Sequence, residues 1–255
     1  MAHVIGVKLT SFIGSLIIAT GLGILVLPPS ANAGVVVPGT SNPFLAGMPN
    51  GSTCCMGDSA PAESPVLVTG ISLIPGTAIT FTNVTGSVNN DAGVPTSPPD
   101  GDPSILVTTA AFEGGNQSPN NIAGFINTPV SALAGVFLGP SLPTANPAPS
   151  SIDFGPAGVG TNFLSLDPML QQAFFIGDGL TGNGTGEVQT FVVPAGATRL
   201  FLADVDGFGW FNNTGSFNVT VNAATPAVPE PGSMLLLVTG IVGLIALCRG
   251  KQQPV

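Results

Sequence analysis

The sequence is poor in the side chains on which most enzymes depend. Its 255 residues contain no tyrosine, one histidine, one tryptophan and only four lysine and arginine residues. The histidine is His3, so residues 34–224 offer no histidine, lysine or tyrosine as a general base or as a partner for a nucleophile. The sequence therefore indicates a protein that is not an enzyme.

A pair of carboxylates is the remaining catalytic option, because two carboxyl groups are sufficient for glycoside hydrolysis. Asp204 and Asp206 form one such pair. They are separated by a single residue on a glycine-rich segment, and this spacing suits a cation better than the two sides of a scissile bond. We therefore expect binding rather than hydrolysis at this pair.

Positive charge is almost absent from the central part of the chain. Twelve acidic residues lie between Asp58 and Asp206, while Arg199 is the only lysine or arginine in residues 34–224, so the formal charge there is 1 − 12 = −11. Such a surface repels nucleic acid and anionic lipid. It favours divalent cations or a matrix in which cations bridge acidic chains, although excess negative charge equally serves solubility.

Cysteine is also scarce, and two of the three cysteines are adjacent. Neighbouring Cα atoms lie ~3.8 Å apart across a trans peptide, which is below the usual range of about 4.4–6.8 Å for a disulfide. A ring between Cys54 and Cys55 is thus expected to be strained, and free thiols or intermolecular bonds are expected at least as readily. No histidine or third nearby cysteine completes a zinc site.

The amino terminus has the organisation of a secretory signal. In residues 1–33, Lys8 is the only charged side chain, residues 12–27 are apolar or small, and small residues end at Ala33. The pattern predicts export and cleavage by signal peptidase after Ala33. The alternative is a retained amino-terminal membrane anchor.

The carboxyl terminus carries three features in a fixed order, namely a Pro229-Glu230-Pro231 box, an apolar segment at residues 233–248 and a basic end that begins at Arg249. Together these features resemble the PEP-CTERM sorting signal, over residues 225–255. The resemblance implies recognition by an exosortase in the inner membrane of Gram-negative bacteria, a transient anchor, and release to the cell envelope or extracellular matrix. The fifteen residues 234–248 of this segment span, as a helix, only ~22 Å of a ~30 Å hydrocarbon core. An ordinary tail anchor is the alternative.

The central residues 34–224 favour an all-β domain. Charged residues are few, glycine and proline number 35 and 25, and Val, Thr and Phe occur in short runs. We predict an antiparallel β-sandwich with long loops at residues 91–104 and 142–160. Strands are predicted at residues 64–69, 71–74, 77–84, 105–112, 132–138, 197–203 and 216–222.

The segment between the last two predicted strands is the strongest candidate for a binding site. Within ten residues it combines two carboxylates with two side-chain amides, which are Asp204, Asp206, Asn212 and Asn213. Calcium takes six to eight oxygen ligands of these kinds. An ordinary turn without a metal is the alternative, because Asp, Asn and Gly also dominate loops. Asp100 and Asp102 are a weaker metal candidate, because an Asp-Gly-Asp sequence is usually just a turn.

This segment is similar to the terminal hairpin of the PA-I-type galactophilic lectins, which are calcium-dependent β-sandwiches. The similarity rests on residues 204–207 and 212–219, extends over residues 171–222, and is faint over residues 64–90. It implies calcium ligands at Asp204, Asn212 and Asn213. The loop is one residue longer than in that family, so the implied backbone-carbonyl ligand falls at Phe208 or Gly209.

The resemblance also implies binding of an extracellular polysaccharide. The sugar contacts would be Asp204, Val205, Trp210, Asn212 and Asn213. Trp210 would either stack on a pyranose or pack inside the domain, whereas Phe208 and Phe211 are predicted to pack. The family's histidine contact has no counterpart here, so galactose specificity is not expected. The alternative function is a structural matrix or envelope protein in which calcium is only structural or is absent.

Overall fold

A computed structural model of the chain describes residues 30–224, apart from residue 183. The longer regular elements of this part are strands, with a single helical turn (α1, Thr109–Phe112), so the all-β prediction is confirmed. Its strands are β1 Ser30–Pro38, β2 Thr53–Cys54, β3 Asp58–Ser59, β4 Val66–Leu67, β5 Ala78–Asn89, β6 Asp100–Val107, β7 Thr128–Leu138, β8 Ser165–Leu166, β9 Ala173–Phe175, β10 Thr190–Val192, β11 Arg199–Asp204 and β12 Thr214–Ala224. Short 3-10 turns lie at Pro43–Leu45, Cys55–Gly57, Pro119–Asn121, Pro143–Ala145 and Trp210–Asn212.

The first sheet has the strand order β1-β12-β5-β10-β8. Its long strand β12 pairs antiparallel with both β1 and β5. Alternate side chains of β12 point into the core, as the period of two in its sequence predicts, and these are Phe217, Val219, Val221 and Ala223. Strand β8 pairs with β10 in parallel, so the sheet is not purely antiparallel.

The second sheet has the order β4-β11-β7-β6, and β9 also pairs with β7. Strand β7 is its centre, because β11 lies along one side while β6 and β9 divide the other side between them. All eleven residues of β7 are buried. The continuous apolar run at residues 132–138 thus predicted a central strand correctly.

The two sheets face each other across a shared aromatic core. The Phe174 ring in β9 packs against the Phe191 ring in β10 with centroids 5.5 Å apart, which connects the second sheet to the first. The Phe191 ring also meets Phe81 of β5 edge-on at 5.0 Å. Edge-to-face and offset ring pairs of this kind add to the stability gained from buried apolar area. The arrangement is a β-sandwich.

Three local predictions were wrong. Strand β6 begins at Asp100, inside the predicted loop at residues 91–104, because its backbone pairs with β7. The predicted strand at residues 105–112 ends at Val107, since Thr109 exchanges hydrogen bonds with the backbone of Phe125 and starts α1. Residues 71–74 form no strand.

The predicted boundary after Ala33 falls inside β1. This strand begins at Ser30 and pairs continuously with β12, from Ser30 opposite Ala224 to Pro38 opposite Ser216. Strand β1 therefore begins four residues before the predicted start of the mature domain. The rest of the predicted signal peptide lies outside the described residues.

Candidate functional site

The segment from Asp204 to Asn213, here called the crossing loop, connects the two sheets. Strand β11 ends at Asp204 in the second sheet, and β12 begins at Thr214 in the first. These two strands pair with other strands and not with each other, so the hairpin implied by the lectin resemblance is wrong. Gly209 adopts a left-handed backbone conformation, with φ 78°, and turns the loop into the 3-10 turn at Trp210–Asn212.

Trp210 anchors the crossing loop inside the core. Its side chain is completely buried, its ring meets Phe44 edge-on at 5.8 Å, and its indole Nε1–H donates to the Asp204 carbonyl at 3.0 Å. Val205 is completely buried as well. Trp210 therefore packs inside the domain, which is the second of its two predicted alternatives, and neither the Trp210 nor the Val205 side chain is exposed to contact a sugar.

Asp58, which lies far earlier in the chain, binds the 3-10 turn at Trp210–Asn212. Its two carboxylate oxygens accept the backbone N–H groups of Trp210 and Phe211, each at 3.0 Å, and the Asn42 side-chain amide donates to it at 2.9 Å. Burial raises the pKa of Asp58, while the three hydrogen bonds oppose that rise. Asp58 fixes the backbone that presents Asn212 and Asn213.

Asp204 lies at the centre of the loop and is completely buried. One oxygen, Oδ2, accepts a hydrogen bond from the Asn213 Nδ2 amide at 3.1 Å, and the same amide donates to the Gly39 carbonyl at 3.1 Å. The other Asp204 oxygen, Oδ1, and the Asn213 carbonyl oxygen, Oδ1, are buried and have no partner in the protein. Such groups are rare in folded proteins and call for an explanation.

Asp206 and Asn212 also have a buried side-chain oxygen without a hydrogen-bond partner. Asp206 is 5% exposed, and its Oδ1 accepts the N–H of Gly207 at 2.6 Å. Its second oxygen, Oδ2, and the Asn212 side-chain oxygen are buried without a partner. The crossing loop thus holds four unpartnered acceptor oxygens, two from carboxylates and two from amides.

The electrostatics of the loop favour neutral carboxyl groups unless a cation is present. Burial raises the pKa of Asp204 well above its usual value, and the charge of Asp206 raises it further. Burial also raises the pKa of Asp206 to about 6. Arg199, at the start of β11, is the only basic side chain among the described residues. Its guanidinium donates hydrogen bonds to the backbone carbonyls of Gly139 and Ser141. No cationic side chain of the described residues compensates the two carboxylates.

A metal bound here would depend on amide and backbone oxygens as well as carboxylates. In the described part of the chain, no three His, Cys, Asp or Glu side chains form a metal-holding group. Of the predicted ligands, Asn213 donates a hydrogen bond to Asp204, while Asn212 lines the same surface cleft as Asp206. Of the two predicted carbonyl ligands, that of Gly209 already accepts the Asn212 N–H at 3.3 Å.

Asp100 and Asp102 make their contacts elsewhere. Asp100 lies across β7 from the crossing loop, where its carboxylate accepts the backbone N–H of Asp178 at 2.9 Å. The Asp102 carboxylate accepts hydrogen bonds from the backbone N–H and the hydroxyl group of Ser104. Neither carboxylate joins the oxygen cluster of the crossing loop.

Beside the crossing loop lies a cleft of about 340 Å³, and its lining includes Asn90, Asp91, Phe112, Asp206, Phe208 and Asn212. Phe208 and Phe211 are 45% and 60% exposed, so the prediction that they pack in the interior was wrong. The Phe208 ring instead lies 6.0 Å from the ring of Phe112.

Two acidic residues of this region were missed in the sequence because they lie far from the loop. Asp58 precedes the crossing loop by about 150 residues, and only the fold brings it to the Trp210 backbone. Glu113 follows α1, and one of its oxygens is buried without a partner. Burial raises the pKa of Glu113, and the charge of Asp58 adds to the rise. No local sequence signal distinguishes either residue.

The adjacent cysteines are joined in the structure. Cys54 and Cys55 form a disulfide at the junction of β2 and the 3-10 turn at Cys55–Gly57. The expectation that free thiols or intermolecular bonds are at least as favourable is not met here. The linked pair lies immediately before Asp58, the residue that holds the crossing loop.

Comparison with known proteins identifies the carboxyl terminus. A family profile described as the PEP-CTERM protein-sorting motif matches residues 227–250, which include the predicted Pro229, Glu230, Pro231 and Arg249. No curated protein and no solved structure matches the chain, so the lectin resemblance has no support from relatives. Helices long and apolar enough to span a membrane are absent from the described residues, and the predicted segment at residues 233–248 lies outside them.

The chain therefore carries an exosortase sorting motif on a β-rich domain. The motif indicates an exported protein that is anchored by its carboxyl terminus before exosortase processes it, and that is delivered to the cell surface or the extracellular space. Exosortase is accordingly its processing partner.

Proposed function

We propose that this exported protein is a non-catalytic component of the cell envelope or extracellular matrix whose β-sandwich binds calcium in the crossing loop and associates with extracellular polysaccharide. The observation that carries the calcium site is the set of four buried acceptor oxygens without protein partners, on Asp204, Asp206, Asn212 and Asn213. Signal peptidase would act on the chain during export.

The energetics support a cation at this position. A buried polar atom left without a partner costs about 1–3 kcal/mol, and an unpaired buried charge costs more. A single cation among these oxygens would satisfy several of them at once. It would also favour the ionised forms of Asp204 and Asp206, whose pKa values burial raises.

Calcium fits the donor set better than other common ions. The available ligands are all oxygens, whereas zinc and copper sites use sulfur and imidazole. Calcium accepts irregular sets of carboxylate, amide and backbone oxygens, while magnesium requires a near-ideal octahedron. Asp204 and Asp206 would supply the charge and Asn212 and Asn213 the amide oxygens. The carbonyl of Phe208 or Gly209 and water would complete the shell.

The chemistry of the loop supports binding without catalysis. Residues 34–224 contain no histidine, lysine or tyrosine. The carboxylate of Asp204 is completely buried, so it does not reach a scissile bond of a glycan. The negative charge of the domain also makes nucleic acid an unfavourable partner.

A structural role for calcium is the second candidate, and the topology favours it specifically. Asp204 ends a strand of one sheet, and Asn213 immediately precedes β12 in the other. An ion shared by these two residues would link the sheets directly. In that case calcium stabilises the domain without taking part in polysaccharide binding.

Calcium titration of the full-length protein tests the proposal. The chain is exported by a Gram-negative host and purified in mild detergent, and calcium and magnesium are titrated by calorimetry. We expect one calcium site with weaker magnesium binding, its loss in Asp204→Asn, and no change in Asp167→Asn, which alters an exposed carboxylate far along the chain. Equal calcium binding by wild type and Asp204→Asn would reject the site.

A further inference from the structure

The cleft beside the crossing loop combines an apolar wall with a polar rim. Phe112 and Phe208 are 41% and 45% exposed, and their rings lie 6.0 Å apart at a tilt of 34°. They come from different parts of the chain, one from α1 and one from the crossing loop. Single exposed apolar residues are common, but two neighbouring rings at the mouth of a cleft mark a binding surface.

Gly207 sets the position of the Phe112 ring. A Cβ atom at this position would lie 2.8 Å from Cγ of Phe112, so the ring packs directly on the bare backbone of the loop. Below the rings, Val107 and Val130 are buried and close the base of the cleft. The apolar wall is thus positioned by its surroundings and does not depend on free rotation of exposed side chains.

Hydrogen-bonding groups face these rings from the rim. Asn90 and Asp91 come from the loop after β5, and Asp206 and Asn212 from the crossing loop. The two loops are joined, since the N–H of Ala92 donates to the Asn212 carbonyl at 2.8 Å. Because the unpartnered oxygens of Asp206 and Asn212 are buried, the acceptors that the rim offers beside the rings are those of Asn90 and Asp91.

We propose that this cleft binds one pyranose ring of a neutral polysaccharide. The C–H face of the sugar packs on Phe208 and Phe112, and its hydroxyl groups donate to the carboxylate and amide oxygens of the rim. The cleft volume of about 340 Å³ falls in the range of about 300–1,000 Å³ that is usual for ligand sites. Aromatic rings and a few placed polar groups are the typical lining of such sites.

The charges on the rim select a neutral sugar over an anionic one. Asp91 and Asp206 both line the cleft, and the only basic side chain of the described residues, Arg199, is bonded to carbonyls elsewhere. A uronate or sulfated sugar would meet the like charge of Asp91, and no basic side chain of the described residues lines the cleft to compensate it. Sugar hydroxyls, in contrast, form charge-assisted hydrogen bonds with carboxylates.

This inference deepens the proposed function and rests on it for the polysaccharide partner, yet the two rings on which it depends are not among the side chains that would hold calcium. Asp206 and Asn212 are common to the cleft lining and the proposed metal ligands. Because Phe208 contributes its ring to the cleft and at most its backbone to the metal, replacing its side chain separates the two activities.

Retention on insoluble polysaccharides tests the cleft. The exported full-length protein is passed in calcium over beads of agarose, a β-glucan and a mannan, which are neutral, and over alginate, which is anionic. We expect retention on at least one neutral polysaccharide and about tenfold weaker binding for Phe208→Ala, because an aromatic contact is lost. Phe208→Leu, which keeps an apolar side chain, should fall between the two. Phe211→Ala removes another exposed ring outside the cleft and should bind like the wild type.

The outcomes distinguish this inference from the calcium proposal. Calcium binding retained in Phe208→Ala, together with lost retention, would support the cleft and show that the variant is folded. Absence of retention on every neutral polysaccharide, retention on alginate alone, or unchanged retention of Phe208→Ala would overturn the cleft, whatever the calcium result. Retention without calcium binding would reject the metal site and leave the cleft in place.

Discussion

The stability of the domain should depend on pH in opposite ways with and without calcium. The pKa of Asp206 rises from its usual 3.8 to about 6, mainly through burial. A carboxyl group whose pKa is raised by folding stabilises the native state when protonated. This contribution is complete below pH 3.8 and is lost as the pH rises through about 6.

The size of this change in stability follows from the difference between the folded and usual pKa values of Asp206. The difference between about 6 and 3.8 is about 2.2 pKa units for Asp206, and at 1.36 kcal/mol for each unit this corresponds to about 3 kcal/mol. Because Asp206 is only 5% exposed, solvent screening reduces this figure little. Asp204 shifts in the same direction, so the calcium-free protein should become progressively less stable between pH 4 and pH 8.

Calcium should reverse this trend, because it binds the ionised carboxylates. At 100 times its dissociation constant, a ligand that binds only the native state adds ~2.7 kcal/mol. For a domain of 150–250 residues, each 1 kcal/mol changes Tm by about 2–4 °C. We therefore expect calcium to raise Tm by roughly 5–11 °C at pH 8. At pH 4.5 protons occupy the site, and the calcium effect should be nearly absent.

Thermal unfolding of the exported full-length protein measures both effects, with calcium or with chelator at pH 4.5, 6 and 8. Asp204→Asn should lose the calcium effect, and in chelator at pH 8 it should melt no lower than the wild type, because a buried charge has been removed. Asp167→Asn should behave like the wild type. A calcium effect of equal size at pH 4.5 and pH 8, or an undiminished effect in Asp204→Asn, would refute the reasoning.

Three further predictions test other parts of the molecule. Asp58→Ala should destabilise the domain by about 3 kcal/mol and weaken calcium binding, because three buried donors lose their acceptor; in denaturant unfolding, a loss no greater than that of Asp167→Asn would contradict this. Gly207→Ala should displace the Phe112 ring and weaken polysaccharide retention while calcium binding persists; unchanged retention would disagree. Glu230→Ala, within the matched motif, should accumulate as an unprocessed membrane-bound form on immunoblots, and normal processing would contradict the assigned role of the box.

Elements with a strong local pattern were predictable from sequence. The alternation of residues 77–84 predicted β5, and the apolar run at 132–138 predicted most of β7. Their full extents were not predictable, because β5 continues to Asn89 by pairing with β12, more than 100 residues later. In the same way β6 begins at Asp100 through pairing with β7, although Asp, Gly and Pro are typical of a turn.

The candidate site likewise combines residues that the local sequence predicts with residues that only long-range contacts bring in. Composition brought out Asp204, Asp206, Asn212 and Asn213 as oxygen donors, and the resemblance implied which of them bind calcium. The structure joins Asp204 and Asn213 by a hydrogen bond. The burial of Trp210 was not predictable, since it depends on Phe44 from the first 3-10 turn. Asp58 was not predictable either, because its carboxylate acts on a backbone about 150 residues away.

The position of the crossing loop gives a physical reason for an acidic pair in the core. Asp204 and Asp206 destabilise the calcium-free protein at neutral pH, since burial opposes their ionisation. A chain selected only for stability would replace them with apolar side chains, which often stabilises a protein. If the crossing loop binds calcium as proposed, its two carboxylates and two amides would suit it to the weak extracellular sites, with dissociation constants of about 10⁻⁴–10⁻³ M. In an exported protein, the link that such a site makes between the two sheets would depend on the calcium concentration outside the cell.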